Sequence, residues 1–136
     1  MVETGNGRLN LARELLQVAR DEFAQAEEAK GGAAVIGLRN ACGKGWLAAL
    51  EATNTYFLMQ GVPESELPQN DRGRYYFAGR YMNRAMVKDY IYIRQTFHIN
   101  GYYDGIVEFD DMPRHFSELE EYIDGIEASG SNGSAG

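Results

Sequence analysis

The stretch that most limits what this chain can fold into is residues 33–60, where Val35, Leu38, Cys42, Gly45, Trp46, Ala49, Thr53 and Tyr56 or Phe57 recur at helical spacing. Side chains three and four apart share one face of a helix, whereas a strand needs strict alternation. Two neighbouring runs have the same period. Behind Asn10 as an N-cap, Leu11, Leu15, Leu16, Val18, Ala19, Phe23 and Ala26 mark a first helix ending near Lys30, Gly31 and Gly32. After a loop over residues 61–70 that holds two prolines, Asp71 is read as the cap of a third helix running to about Ile99. Its core stripe is Tyr75, Ala78, Gly79, Met82, Met86, Tyr90, Ile93 and Phe97. The fold class is therefore all-α.

Three glycines inside the second helix, Gly37, Gly43 and Gly45, each cost about 1 kcal/mol relative to alanine. A helix that keeps them is expected to need another element close by, or to bend near Gly43. Asp89 intrudes on the third helix's inner stripe, where a buried carboxylate has to be paired. Phe77, Tyr81, Arg84, Lys88, Ile91, Tyr92 and Gln95 form its outer face, a mixture of cations and rings that suits a dimer or partner contact better than single-stranded nucleic acid. An Asn100-Gly101 stop is expected, then a short fourth segment over residues 102–109 and a last helix behind Pro113. That last helix points Phe116, Leu119, Tyr122, Ile123 and Ile126 inward. Residues 8–127 read as one domain, and the Gly/Ser-rich residues 128–136 as a disordered tail.

Net charge is -7, unevenly spread: -2 over residues 1–38, +3 over 39–98 and -8 over 99–136. An acidic chain is a poor non-specific nucleic-acid binder, since neutralised phosphates supply most of that affinity. The basic middle is read as a solvated face or as a partner for the acidic C-terminal third. With no apolar run long enough for a membrane span and no apolar leader in the polar start, a soluble cytoplasmic protein is expected. One cysteine and two distant histidines supply neither a disulfide nor a zinc spacing, so no metal and no cofactor are expected.

The stretch R-Q-T-F-H-I-N-G-Y-Y-D-G, residues 94–105, holds the candidate chemistry. Arg94 and His98 lie one turn apart, so both can reach one phosphate. Metal-independent RNA cleavage needs a base for the 2'-OH and a cation for the charged phosphorane, roles open to His98 and Arg94 respectively. The preferred reading is structural: His98 serves the free carbonyls of a helix end, and Arg94 pairs with an acid such as Asp104. Tyr102, Tyr103 and Asp104 are candidate binding residues beside that helix end, as are Arg39 and Asn40 on the second helix. Arg114 and His115 are read as surface, and Cys42 as a buried inert thiol.

The small-residue second helix, G-L-R-N-A-C-G-K-G-W-L-A-A-L-E-A, the ending Y-I-Y-I-R-Q-T-F-H-I-N-G-Y-Y-D-G and the closing F-S-E-L-E-E-Y-I together resemble a bacterial HEPN-like family (higher eukaryotes and prokaryotes nucleotide-binding). The resemblance covers residues 11–126. It implies an up-and-down bundle of four to five helices that forms a homodimer. Active relatives in the wider group are ribonucleases, often toxins of toxin–antitoxin pairs whose partner is a nucleotidyltransferase. Their signature is an arginine, a polar residue and a histidine after four to six intervening positions. Arg94 and Gln95 fit, but three residues separate Arg94 from His98, one short. What the resemblance implies for this chain is a non-catalytic protein that binds a protein, nucleotide or RNA partner. The alternative is an endoribonuclease using Arg94 and His98.

Overall fold

Local sequence signals start and stop each helix. In the computed structural model, which describes the backbone of residues 5–135 and the side chains of residues 9–130, the main helices are α1 (Gly5–Glu28), α2 (Gly32–Met59), α3 (Asp71–Tyr81), α4 (Arg84–Ile93) and α5 (Met112–Ala135). A π-helical segment, Arg94–Tyr103, continues directly from α4. No strand occurs among the described residues, and the chain is a helical bundle.

Gly31, at φ 61°, ends the first connection in a conformation open to glycine and strained for other residues. The chain then returns antiparallel, so that Glu22 meets Lys44 at 3.1 Å while Ala26 faces Gly37. A methyl on Gly37 would come within 2.8 Å of the Ala26 Cβ, so the two helices meet backbone to backbone there. The α2 glycines thus mark close approaches within one continuous helix. Leu9, Ala12, Leu16, Ala19 and Phe23 of α1 join Leu38, Ala41, Trp46, Ala49 and Phe57 of α2 in the core, closed by Met112, Phe116, Leu119, Ile123 and Ile126 of α5. The inner stripes are narrower than the sequence period suggested. Leu11, Val18 and Val35 are exposed, because each lies one residue off the line that faces the neighbouring helix.

The third helix differs most from expectation. It is two helices, broken at Met82 and Asn83, because the Asn83 side chain accepts the Met86 N–H at 2.9 Å and starts α4 afresh. The cap of α3 is Asn70, whose side chain accepts the Gly73 N–H at 2.8 Å; Asp71 is therefore the first helical residue, with its carboxylate free for other partners. The break re-aims the faces. Tyr75 is exposed, Phe77 packs on the Phe57 ring at 5.5 Å, Tyr81 turns toward the same ring, and Asp89 faces solvent. Residues 128–130, read from sequence as the start of a disordered tail, continue α5, where Gly130 sits against Met59. From residue 131 onward the side chains lie outside the described residues, as do residues 1–4 and 136 entirely.

Candidate functional site

Where the sequence analysis placed an Asn-Gly stop, the helix changes winding instead. The Asp104 N–H bonds to the Ile99 carbonyl at 2.9 Å, an i to i-5 bond, and the chain leaves the helix only at Gly105, at φ 65°. Such π-turns are costly in isolation and are common at functional sites. Here three contacts explain it. Gly101 lies against Cys42, so close that a Cβ would stand 2.5 Å from the thiol sulfur. Phe97 lies over Gly45. Arg39 donates from Nε to the Tyr102 carbonyl at 2.9 Å and from Nη2 to the Tyr103 carbonyl, filling acceptors that the helix end leaves open.

The wider turn carries Arg94 and His98 to a carboxylate that sequence reasoning did not connect with them. Arg94 Nη2 donates to Asp71 Oδ2 at 3.0 Å, and His98 Nε2 stands 3.9 Å from the same oxygen. Arg74, one turn along α3, donates to Asp71 Oδ1 at 2.7 Å. The partner of Arg94 is therefore Asp71; Asp104 sits exposed at the segment's end. Burial works to raise the Asp71 carboxyl, but hydrogen bonds and charge from Arg74 and Arg94 outweigh it and hold the group below the usual carboxylate range. His98 is stacked on the Trp46 indole, ring centroids 5.0 Å apart and planes within 20°, and meets the edge of Tyr103 at 4.9 Å. Burial lowers its pKa; Asp71 pulls the other way, while Arg94 and Arg74 reinforce the drop. The imidazole is thus held neutral at pH 7.

One edge of His98 opens onto a groove of about 260 Å³ between α2 and the π-helical segment, lined also by Asn40, Gly43, Lys44, Trp46, Leu47 and Tyr102. A shallower depression continues from it past Ile36, Arg39, Asn40, Tyr102 and Tyr103. The structure therefore brings five of the seven sequence candidates together around these hollows, His98, Tyr102, Tyr103, Arg39 and Asn40, and ties Arg94 to His98 through Asp71 behind them. Neither Arg94 nor Asp104 lines a hollow. Asp71, Arg74, Trp46 and Lys44 were missed. The only local signal for any of them was the unusual Trp in a helix otherwise rich in small residues.

Two other readings from sequence change. His115 is buried against Phe97 and Tyr92, 3.4 Å from the Tyr92 hydroxyl, because it stands one turn before Leu119 and so shares the face of α5 that packs into the core. Asp89 lies with Lys88, Tyr92, Arg114, Glu118 and Glu121 around a second hollow, its carboxyl raised by burial and by Glu118. Cys42 behaves as expected; burial pushes its thiol up to about 12. No group of metal-ligating side chains occurs among the described residues, and no described helix is long and apolar enough to cross a membrane. In comparisons with protein-family models, curated proteins and solved structures, none matches the chain.

Proposed function

We propose that this chain is a cytoplasmic, HEPN-like up-and-down bundle that works as a homodimeric binding module for a protein or a nucleotide/RNA partner, with no turnover of its own. The observation that carries this is the position of Asp71. Arg94 and His98 converge on one of its carboxylate oxygens, where a scissile phosphate would have to sit for the pair to act on it. The arginine is already paired with that carboxylate, and the histidine is clamped between Trp46 and Tyr103. Exposed apolar side chains offer the contact area. Leu47 and Tyr102 border the groove, Ile36 borders the depression beside it, and Tyr75 and Tyr76 stand out from α3.

A second reading, a metal-independent endoribonuclease of the toxin kind with a nucleotidyltransferase partner, draws on one specific feature. His98 is neutral, as a general base must be, and faces an open groove that also holds Lys44. Incubating the purified chain and a folded His98→Ala variant with single-stranded RNA in EDTA separates the two, alongside light scattering for the oligomeric state. The binding reading expects intact RNA with both proteins and a dimer mass. Cleavage by the parent that His98→Ala loses overturns it in favour of the nuclease; a monomer at micromolar concentration removes the dimer.

A further inference from the structure

Around Asp71 the structure gathers more hydrogen-bond donors than one carboxylate uses. Arg74 and Arg94 each give it a single Nη2. Arg74 Nε, Arg94 Nε and the Tyr90 hydroxyl are all shut off from solvent; the two Nε–H groups meet no acceptor among the described residues, and the phenol, though close enough to Arg74 to accept from it, has no acceptor for its own O–H. Tyr90 is only 1% exposed and lies beside Arg74. Proteins rarely leave three buried donors unmet in one corner, since each gives up its hydration without a replacement. Charge is out of balance in the same direction, with two guanidinium groups and a neutral imidazole against one carboxylate.

The carboxylate that holds the two arginines is itself partly exposed. It hangs from the first residue of α3, its side chain 39% exposed, so that side chain can turn toward solvent and free the two Nη2 groups it now holds. A carboxylate offers two oxygens and one charge. A phosphodiester offers the same number of free oxygens and the same charge, and gains nothing by displacing it. A terminal phosphate offers three free oxygens and close to two charges, which matches two guanidinium forks and a phenol.

We propose that Arg74, Arg94 and Tyr90 form a site for a terminal phosphate, free or as a monoester, and that Asp71 is its built-in occupant, displaced when the ligand enters. His98 stands at the rim, and the groove bordered by Lys44, Trp46 and Tyr102 leads away from it, giving the body of a monoester a partly aromatic bed. This goes beyond the binding-module reading and does not rest on it, since phosphate uptake requires neither dimerisation nor contact with RNA.

The test is a titration of inorganic phosphate into the parent chain, Asp71→Asn and Asp71→Asn/Arg74→Gln, read by NMR on the arginine Nε–H signals. In the parent, the Arg74 and Arg94 signals are expected to move together as phosphate is added. Removing the internal competitor in Asp71→Asn is expected to tighten phosphate binding by about tenfold, and adding Arg74→Gln to abolish that gain. A dinucleotide without a terminal phosphate is expected to leave both signals in place. The proposal is overturned if the parent signals stay fixed in tens of millimolar phosphate, if Asp71→Asn binds no more tightly, or if the dinucleotide moves the signals as strongly as phosphate. Should Asp71→Asn fail to fold, the parent titration with phosphate and dinucleotide decides the matter alone.

Discussion

His98 has its pKa set by three neighbours that pull in known directions, which makes it a reporter for the whole corner. Burial against Trp46 is the main cause of its depression. Trp46→Ala is therefore expected to move the imidazole pKa back up toward its ordinary value and to destabilise the fold by ~3–5 kcal/mol, as loss of a buried indole does. Asp71→Asn acts the other way, because it removes the one nearby charge that favours imidazolium while Arg94 and Arg74 remain; there the pKa is expected to fall further. An NMR titration of the His98 ring protons reads both, and a shift of the same sign in the two variants would refute this account. These couplings also show what was legible in the sequence. Arg94 and His98 stood out because they are four apart on one helix. Asp71 and Arg74 join them across twenty or more residues and the break between α3 and α4, and no local period records such a pairing.

At the scale of elements, the π-helical segment is the device that assembles the site, and it is wound by contacts with α2. Its extra residue per turn brings Phe97 over Gly45 and Gly101 onto Cys42, while Arg39 caps its last carbonyls. The glycines of α2 signalled a close neighbour in the sequence; the change of winding did not, since Asn-Gly is an ordinary stop and nothing local distinguishes it from a π-turn. The break of α3 from α4 went unread, because the apolar spacing runs on through Asn83 and hides the cap that its side chain makes. Gly45→Ala tests the winding directly. Helix propensity alone would favour alanine by ~1 kcal/mol. The added methyl, however, would stand 2.6 Å from the Phe97 ring inside the core, and overpacking of this kind costs ~1–3 kcal/mol. Net destabilisation in urea melts is expected, with the His98 and Trp46 ring signals displaced. A stabilised variant would mean that Phe97 yields freely and that α2 does not set the winding.

On the scale of the whole molecule, the ion pairs that the acidic C-terminal third makes with other helices come, among the described residues, from α1; of the two roles read for the basic middle, a solvated face or a partner for that third, the pairing role falls to α1. Arg13 reaches Asp124 and Glu127, and Arg20 reaches Glu120, all across the face where α1 and α5 run antiparallel. Composition gave the sign of each third but could not say which helices would lie side by side. These pairs are partly exposed and contribute only ~0.2–1 kcal/mol each, and Asp71, held low, loses its contribution only in the carboxylate range, so above that range the dependence of stability on pH is set by the two histidine rings. His98 and His115 both have folded pKa values below the ordinary ~6.5, each chiefly through burial. For a group lowered in this way the unfolded chain binds the proton first. The contribution to stability is complete above the unfolded value and declines as pH falls from there toward the folded values. Asp89 has the opposite sign: its raised carboxyl makes acidification relieve its repulsion from Glu118, but only once pH enters the carboxylate range. Between about pH 6.5 and 5 the histidines therefore act with little opposition, and the urea midpoint is expected to fall over that window at an unchanged slope. His98→Gln and His115→Gln should each flatten the decline, and the double variant should come close to removing it. A midpoint that is level across the window in the parent would mean that both rings take up protons as easily folded as unfolded, and neither would then be buried as described.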